Sequence, residues 1–479
     1  MNKNSSKISK ALSILEHHYL NDKRKMCLAF SGGKDSTAIL HLTCAMLLRL
    51  SKKSMPLNKK IYVINSNTLA ELPPLLKYLH STLKQIKRFA EINNLPIAVK
   101  EVSPDDKNAL NVQLIGVGMP PPSSSFRWCT DKLKVNPINI EINNIFKGDG
   151  FISIIGTRKD ESFSRAARIK KNTLKGTDLK INNRYKNSSN LMPIEDWNTK
   201  DVWSYLFMQD NNLVDVMFLW KLYSDASDKK ASECSFVAAG GQNIDDGKLG
   251  CGVSRFGCWQ CYMVRDNDKS LDGLMNSGHE NMIFYKNYRD WYWRESQKGW
   301  SKTRDVYGHR LQEHGYYNKG GEDNPKYGMT MPRGMKLYFR TKVLRKILEL
   351  QEQLSEQLIT SDEILLIQER WLYEGDINLN AFKIARKNGI ELKTNKELQL
   401  LARQSKKYYK KLVQSNSILK QEFATRTLQR FSVQTIKAPE KIDKKFFPSK
   451  EEEIFIRNEW KKQKKLDSKK QFVDIFDLI

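Results

Sequence analysis

Ser31-Gly32-Gly33-Lys34-Asp35-Ser36 puts two hydroxyls, two glycines, a cation and a carboxylate in one short run. The apolar run Met26–Phe30 before it has strand length, and Thr37–Leu50 after it reads as a buried helix. A strand that stops at Gly-Gly and opens a helix gathers free backbone N–H groups, and the helix dipole adds positive potential there. Gly32 and Gly33 let a ligand approach the backbone closely. Ser31 and Ser36 add hydroxyls and Lys34 adds a cation, which completes a phosphate cradle. Asp35 at its mouth can hold Mg²⁺ on the phosphates or tune Lys34. The alternative is an ordinary glycine turn with a solvated Lys-Asp pair, and the strand before and helix after favour the phosphate site. The spacing differs from the G-x-x-x-x-G-K-[ST] loop.

Two later segments carry further chemistry. Arg127-Trp128-Cys129-Thr130-Asp131-Lys132-Leu133-Lys134 is one; Gly156-Thr157-Arg158-Lys159-Asp160-Glu161-Ser162, following an apolar strand at 151–155, is the other. Arg127, Lys134, Arg158 and Arg165 are expected to bring converging cations to phosphate groups at the carboxyl ends of strands, where open α/β sheets bind ligands. Glu161 can orient an arginine or a metal ion. Cys129, beside Arg127, reads either as an activated thiol that carries sulfur or as a small packed residue.

Cys234, Cys251, Cys258 and Cys261 form a third group, with Cys258-Trp259-Gln260-Cys261 a C-x-x-C pair and Gly250, Gly252 and Gly257 supplying tight turns. Four thiolates suit a [4Fe–4S] cluster or structural Zn²⁺, and the spacing leaves both open. Cys27 and Cys44 fall on a predicted strand and helix and read as core.

The Ser31–Ser36 loop resembles that of the N-type ATP pyrophosphatases, the PP-loop family, which attach AMP to a substrate oxygen and release pyrophosphate. The resemblance implies an adenine nucleotide alpha hydrolase-like fold and chemistry at the α-phosphate, with Ser31, Gly32, Gly33, Lys34, Asp35, Ser36, Arg127, Gly156 and Arg165 binding nucleotide. Lys34, Asp35, Arg158, Glu161 and Cys129 are the expected catalytic residues. The 127–134 and 156–162 segments are similar to phosphoadenylyl-sulfate-reductase-like proteins. The Glu-Cys-Gly motif near the C-terminus of the assimilatory reductases has no counterpart, since the last cysteine is Cys261. Glu233-Cys234, Cys251-Gly252 and Ser254-Arg255-Phe256-Gly257-Cys258-Trp259-Gln260-Cys261 resemble the DndC family, the sulfurtransferases of DNA phosphorothioation systems, and the likeness runs over roughly residues 20–377. It implies an ATP-dependent sulfurtransferase acting on a DNA backbone phosphate. ATP, Mg²⁺ and a [4Fe–4S] cluster on the four cysteines would be its cofactors. Double-stranded DNA, a cysteine desulfurase as sulfur donor and other phosphorothioation-system proteins would be its partners. A PP-loop iron–sulfur tRNA thiolase is the rival enzyme. A non-catalytic, zinc-stapled DNA-binding subunit is the rival of another class.

These residues need elements to position them. The chain has 479 residues, enough for two or three domains, and 40% hydrophobic residues, enough for a packed core. Strand-length runs at 61–65, 97–99 and 151–155 alternate with helical stretches at 7–20 and about 73–94. That pattern predicts an α/β fold with a doubly wound parallel sheet. GVGMPPPSSS at 116–125 predicts a long loop, and the basic segment 158–186 reads as a mobile loop at its centre. Helices are expected at 335–354, 362–373 and 377–387 and a basic tail at the end. The expected division is a lead helix at 1–22, a PP-loop domain at 23–230, a Cys-rich iron–sulfur region at 231–280 and a mainly helical region at 281–479. The aromatic-basic stretch Tyr285–Trp300 reads as a buried helix face before it reads as a base-stacking surface.

Net charge is +27, concentrated toward the two ends, and favours a polyanionic partner; a Lys-rich composition bias is the alternative. No apolar run reaches the roughly 20 residues needed to span a bilayer. No secretory signal stands at the N-terminus, so a cytoplasmic protein with no membrane partner and reduced cysteines is expected.

Overall fold

A computed structural model gives the fold of the chain. It describes residues 3–122, 127–209, 213–225, 258–262, 269–276, 278–297, 334–373, 376, 378–392, 396, 399–400, 402–403 and 406. Cys234, Cys251 and the basic tail lie outside the described residues.

The first compact unit comprises Met1–Leu110 and Pro120–Lys298. Its strands are β1 (Lys25–Ala29), β2 (Ile61–Ser66), β3 (Ile97–Val102), β4 (Phe151–Ile154), β5 (Leu179–Ile181) and β6 (Ser189–Leu191), in the order β3-β2-β1-β4-β6-β5. All neighbours pair in parallel except β5, which closes the edge antiparallel to β6. β1 is central, with Met26 opposite Ile61 on one side and Ile152 on the other. Strands buried on both faces read as continuous apolar runs, and β1, β2 and β4 were legible for that reason. β5 and β6 have three residues each, too short to carry a period.

The described α-helices of eight or more residues in this unit are α1 (Lys3–Asn21), α2 (Lys34–Lys52), α3 (Pro73–Ile92), α4 (Asn136–Phe146), α5 (Phe163–Asn172), α6 (Thr199–Phe207), α7 (Val216–Asp225), α8 (Lys269–Asn276) and α9 (Met282–Gln297). Pro73 and Pro74 open α3, where a missing N–H costs nothing. Phe146, Phe151, Cys27, Ile64 and Ile142 form one core cluster on the β1–β2–β4 face. Cys27 and Cys44 are 3% and 2% exposed, and burial pushes both thiols up to about 12.

Two local expectations need correction. The 158–186 segment holds α5 and β5, because Ser162 caps α5 by accepting from the Arg165 N–H and Ile169 and Leu179 bury. The 116–125 loop begins inside a π-helical turn, Val112–Val117.

The second unit comprises Asn111–Met119 and Gly299–Ile479. Its described helices are α10 (Leu337–Leu354), α11 (Ser361–Tyr373) and α12 (Asn380–Lys387), so the expected helical C-terminal region is present. The π-helical turn packs with them: the Trp371 indole donates to the Ile115 carbonyl at 2.7 Å, and Arg340 donates to Gly116 at 2.5 Å. Among the described residues no helix is long and apolar enough to cross a membrane.

Candidate functional site

The strand order reverses between β1 and β4, and in open α/β sheets that switch point is where ligands bind, outside the carboxyl ends of the strands. The Ser31–Ser36 loop leaves β1 there, and the 156–162 segment leaves β4 beside it. Gly32 has φ +73°, a left-handed conformation, and a Cβ on it would lie 2.2 Å from Leu79 Cδ2. Gly33 caps α2 in an extended conformation with no side-chain hydrogen bond, so the first N–H groups of the helix face the loop. Ser36 closes the turn by donating to the Gly33 carbonyl at 2.9 Å, and its hydroxyl lies 3.1 Å from that of Ser31.

Asp35 links the two segments. Its Oδ1 accepts from Arg158 Nε at 2.7 Å, and its Oδ2 lies 3.2 Å from Lys34 Nζ. Gly156 makes this approach possible: a Cβ there would stand 2.8 Å from the Asp35 carbonyl carbon. Arg158 is 2% exposed, and its guanidinium also donates to Asp160, to the Trp197 carbonyl and to Thr199. A charge buried this deeply must be paired, and these acceptors hold the Arg158 guanidinium in place against Asp35. Glu161 accepts from the Arg158 backbone N–H at 2.9 Å and pairs with Arg165 one turn on. Of the four cations expected to converge, Arg158 is the one that bonds to the loop among the described residues. Arg165 pairs with Glu161 and is half exposed, Arg127 is exposed, and Lys134 acts on Cys258 instead.

Tyr223, on α7, escaped the sequence analysis. Its ring lies under the Lys34 ammonium, 4.9 Å from Nζ, and its hydroxyl is hydrogen-bonded to the Lys34 backbone. Burial raises the phenol pKa, and the Lys34 charge opposes the rise. Lys34 is therefore 8% exposed yet held between a carboxylate and an aromatic face. A single tyrosine in the apolar run of α7 carries no signal that could have found it.

The second constellation lies over the adjacent strand. The turn after β2 runs from Asn67 to Glu71. Glu71 is buried and accepts from the Thr68 N–H, the Thr68 hydroxyl and the Ala70 N–H. Cys258 pairs with Glu71 in an antiparallel bridge, its sulfur is 3.2 Å from Thr68 Oγ1, and Trp259 N–H donates to the Ala70 carbonyl at 2.9 Å. The pair Cys258/Cys261 forms one turn, closed by Cys261 N–H donating to the Cys258 carbonyl at 3.0 Å. Burial, then the Glu71 charge, pushes the Cys258 thiol up to about 12. Cys129 belongs to this neighbourhood: burial raises its thiol pKa, and the Cys261 thiol raises it further. Arg289, 1% exposed on α9, donates to the Cys261 carbonyl at 3.0 Å. Of the described aromatics in Tyr285–Trp300, Tyr285, Tyr288 and Tyr292 are buried and Trp291 and Trp293 partly buried, with Tyr285 and Tyr288 edge-on to Trp259. Glu71 was missed in the sequence, and the capping-box spacing of Thr68-x-x-Glu71 is the signal that could have found it.

Cys258 and Cys261 on one tight turn, with the Cys129 thiol in the same neighbourhood, are donors of the kind a thiophilic metal group takes. Among the described residues no three His, Cys, Asp or Glu side chains converge as a metal site.

Residues 25–263 match the phosphoadenosine phosphosulfate reductase domain family. The chain is 30% identical over 206 residues to an uncharacterized protein of Methanocaldococcus jannaschii, covering 42% of this chain and 35% of that protein. A second uncharacterized protein of the same organism is 28% identical over 229 residues, 46% of this chain and 47% of its own length. The chain thus spans about a third to a half of the length of these curated relatives. A solved structure of the U34-tRNA thiolase NcsA from Methanococcus maripaludis with its [4Fe–4S] cluster is 15% identical, with a TM-score of 0.28 over 62% of this chain and 80% of that one.

Proposed function

We propose that this chain is an ATP-dependent sulfurtransferase that adenylates a backbone phosphate of DNA and supports its replacement by phosphorothioate. The observation that carries the reading is the placement of the Ser31–Ser36 loop and the Cys258–Cys261 turn over the carboxyl ends of adjacent parallel strands, β1 and β2. Nucleotide chemistry and thiol chemistry then share one edge of one sheet.

The loop N–H groups, Ser31, Ser36 and Lys34 would bind the pyrophosphate of ATP. Asp35, oriented by Arg158, would face Mg²⁺ on the phosphates. A non-bridging phosphodiester oxygen attacks the α-phosphorus, the bond to the β-phosphate oxygen breaks, and pyrophosphate leaves. Lys34 stabilises the charge that grows there. AMP is then the leaving group that a phosphodiester oxygen alone is not. A persulfide sulfur displaces AMP at the DNA phosphorus, and a second thiol cleaves the S–S bond, which leaves a phosphorothioate and a disulfide. A cysteine desulfurase would supply the persulfide, and Cys129 would receive it. Cys258 and Cys261, with Cys234 and Cys251, would hold a [4Fe–4S] cluster, which supplies sulfur-coordinating chemistry when bound. The DndC-like segments at 127–134, 156–162 and 254–261 support DNA as the substrate.

The test uses the full chain purified without oxygen, with ATP, Mg²⁺, duplex DNA, a cysteine desulfurase and cysteine. Release of AMP and pyrophosphate that depends on DNA, and phosphorothioate dinucleotides by mass spectrometry after digestion, are expected. Iron and sulfide should be present and lost together in Cys258→Ser/Cys261→Ser. Thiolated nucleosides from tRNA in place of DNA phosphorothioate would overturn the substrate. One zinc per chain and no AMP would make the protein a non-catalytic subunit.

A further inference from the structure

Phe163 is 91% exposed, the most exposed of the large apolar side chains among the described residues. Single exposed apolar residues are common, so exposure by itself assigns nothing. Its setting does more. Phe163 opens α5, a ten-residue helix with Arg165, Arg168, Lys170 and Lys171, no acidic residue and one buried side chain, Ile169. The four basic residues are all exposed. An exposed aromatic ring on a helix whose charged residues are all basic complements a chain of phosphates that also carries flat apolar rings.

The position is tied to the phosphate loop. Asp35 accepts from Arg158, the Arg158 backbone donates to Glu161, and Glu161 pairs with Arg165 in the first turn of α5. Rigid polar links therefore run from the loop to the turn that carries Phe163.

We infer that α5 is a polynucleotide-binding surface on which an unpaired base stacks against Phe163 while Arg168, Lys170 and Lys171 follow the backbone phosphates. This rests on the nucleic-acid reading above and adds to it a base taken out of its stack beside the adenylation site. Stacking and charge then make separable contributions, because one does not depend on salt and the other does.

The experiment titrates the full chain into a single strand carrying 2-aminopurine and into a duplex with 2-aminopurine at a mismatch, across a salt series. Stacking on Phe163 should quench the fluorescence. Phe163→Ala and Phe163→Leu should lose the quench and weaken binding about 5- to 20-fold at every salt concentration, with the salt slope unchanged. Phe163→Trp should keep both. The Arg168→Ala/Lys170→Ala/Lys171→Ala variant should keep the quench at low salt and lower the slope of log affinity against log salt by about two. If the wild type binds with steep salt dependence and Phe163→Ala matches it in affinity and quench, the stacking site is wrong and the DNA reading stands. If the wild type binds neither probe, both fall. If Phe163→Ala impairs only sulfur transfer from the desulfurase, the surface docks a protein instead.

Discussion

Arg158 donates its Nε–H to Asp35 Oδ1 at 2.7 Å, joining residues 123 positions apart across the point where the sheet order reverses. The arginine is 2% exposed and the carboxylate 22%, so the pair is partly desolvated. Losing either partner strands the other. Asp35→Asn and Arg158→Met should each destabilise the protein by about 2–4 kcal/mol. The double variant should cost less than their sum by about 1–2 kcal/mol, read as urea midpoints in a double-mutant cycle. Strictly additive losses would mean that the two charges do not couple.

Gly156 is needed for the same contact. Gly156→Ala places a methyl group 2.8 Å from the Asp35 carbonyl carbon, which is backbone and cannot swing aside. The protein should fold, with ATP-driven pyrophosphate release reduced about 10- to 100-fold by displacement of the loop. A wild-type rate would show that the loop tolerates the shift.

Tyr223 should matter for nucleotide affinity through Lys34. Its ring lies 4.9 Å from the Lys34 ammonium, and its hydroxyl bonds to the backbone at the first turn of α2. Tyr223→Phe keeps the ring and should weaken ATP binding by less than about fivefold. Tyr223→Leu loses both contacts and should weaken it about tenfold or more. Calorimetric titration with ATP and with pyrophosphate reads the difference; equal effects of the two variants would contradict a role for the ring.

His41, in α2 behind the loop, is buried, and its Nε2 has no partner among the described residues. Burial lowers its pKa from 6.5 to about 4. The folded state thus holds the imidazole neutral while the unfolded chain protonates below its own pKa. Stability from this group is complete above about pH 6.5, falls as pH drops toward 4, and is lower by about 2 kcal/mol at pH 5. His41→Leu should flatten that part of a plot of melting temperature against pH. An unchanged slope would assign the acid sensitivity to other groups.

The phosphate loop, the parallel sheet and the helical C-terminal region were legible in the sequence because each depends on local order. A buried strand, a Gly-Gly break and a following helix are adjacent in the chain, and apolar runs such as Met26–Phe30 and Ile61–Asn65 state their burial directly. The C-x-x-C turn was legible for the same reason. β5, β6 and α5 were missed, because three-residue strands and a helix with one buried residue have too few apolar positions to show a period.

What only the tertiary structure decided is which charges meet. The sequence presents Arg127, Lys134, Arg158 and Arg165 as equivalent cations, whereas the fold buries Arg158 against Asp35, pairs Arg165 with Glu161 and lets the Lys134 charge lower the Cys258 thiol pKa. Tyr223 on Lys34 and Arg289 on Cys261 left no trace in any local pattern. Periodicity records which face of an element avoids water, and it is fixed by neighbours along the chain. The partner of a buried charge is fixed by strand order and crossover, which bring together residues that no local spacing relates.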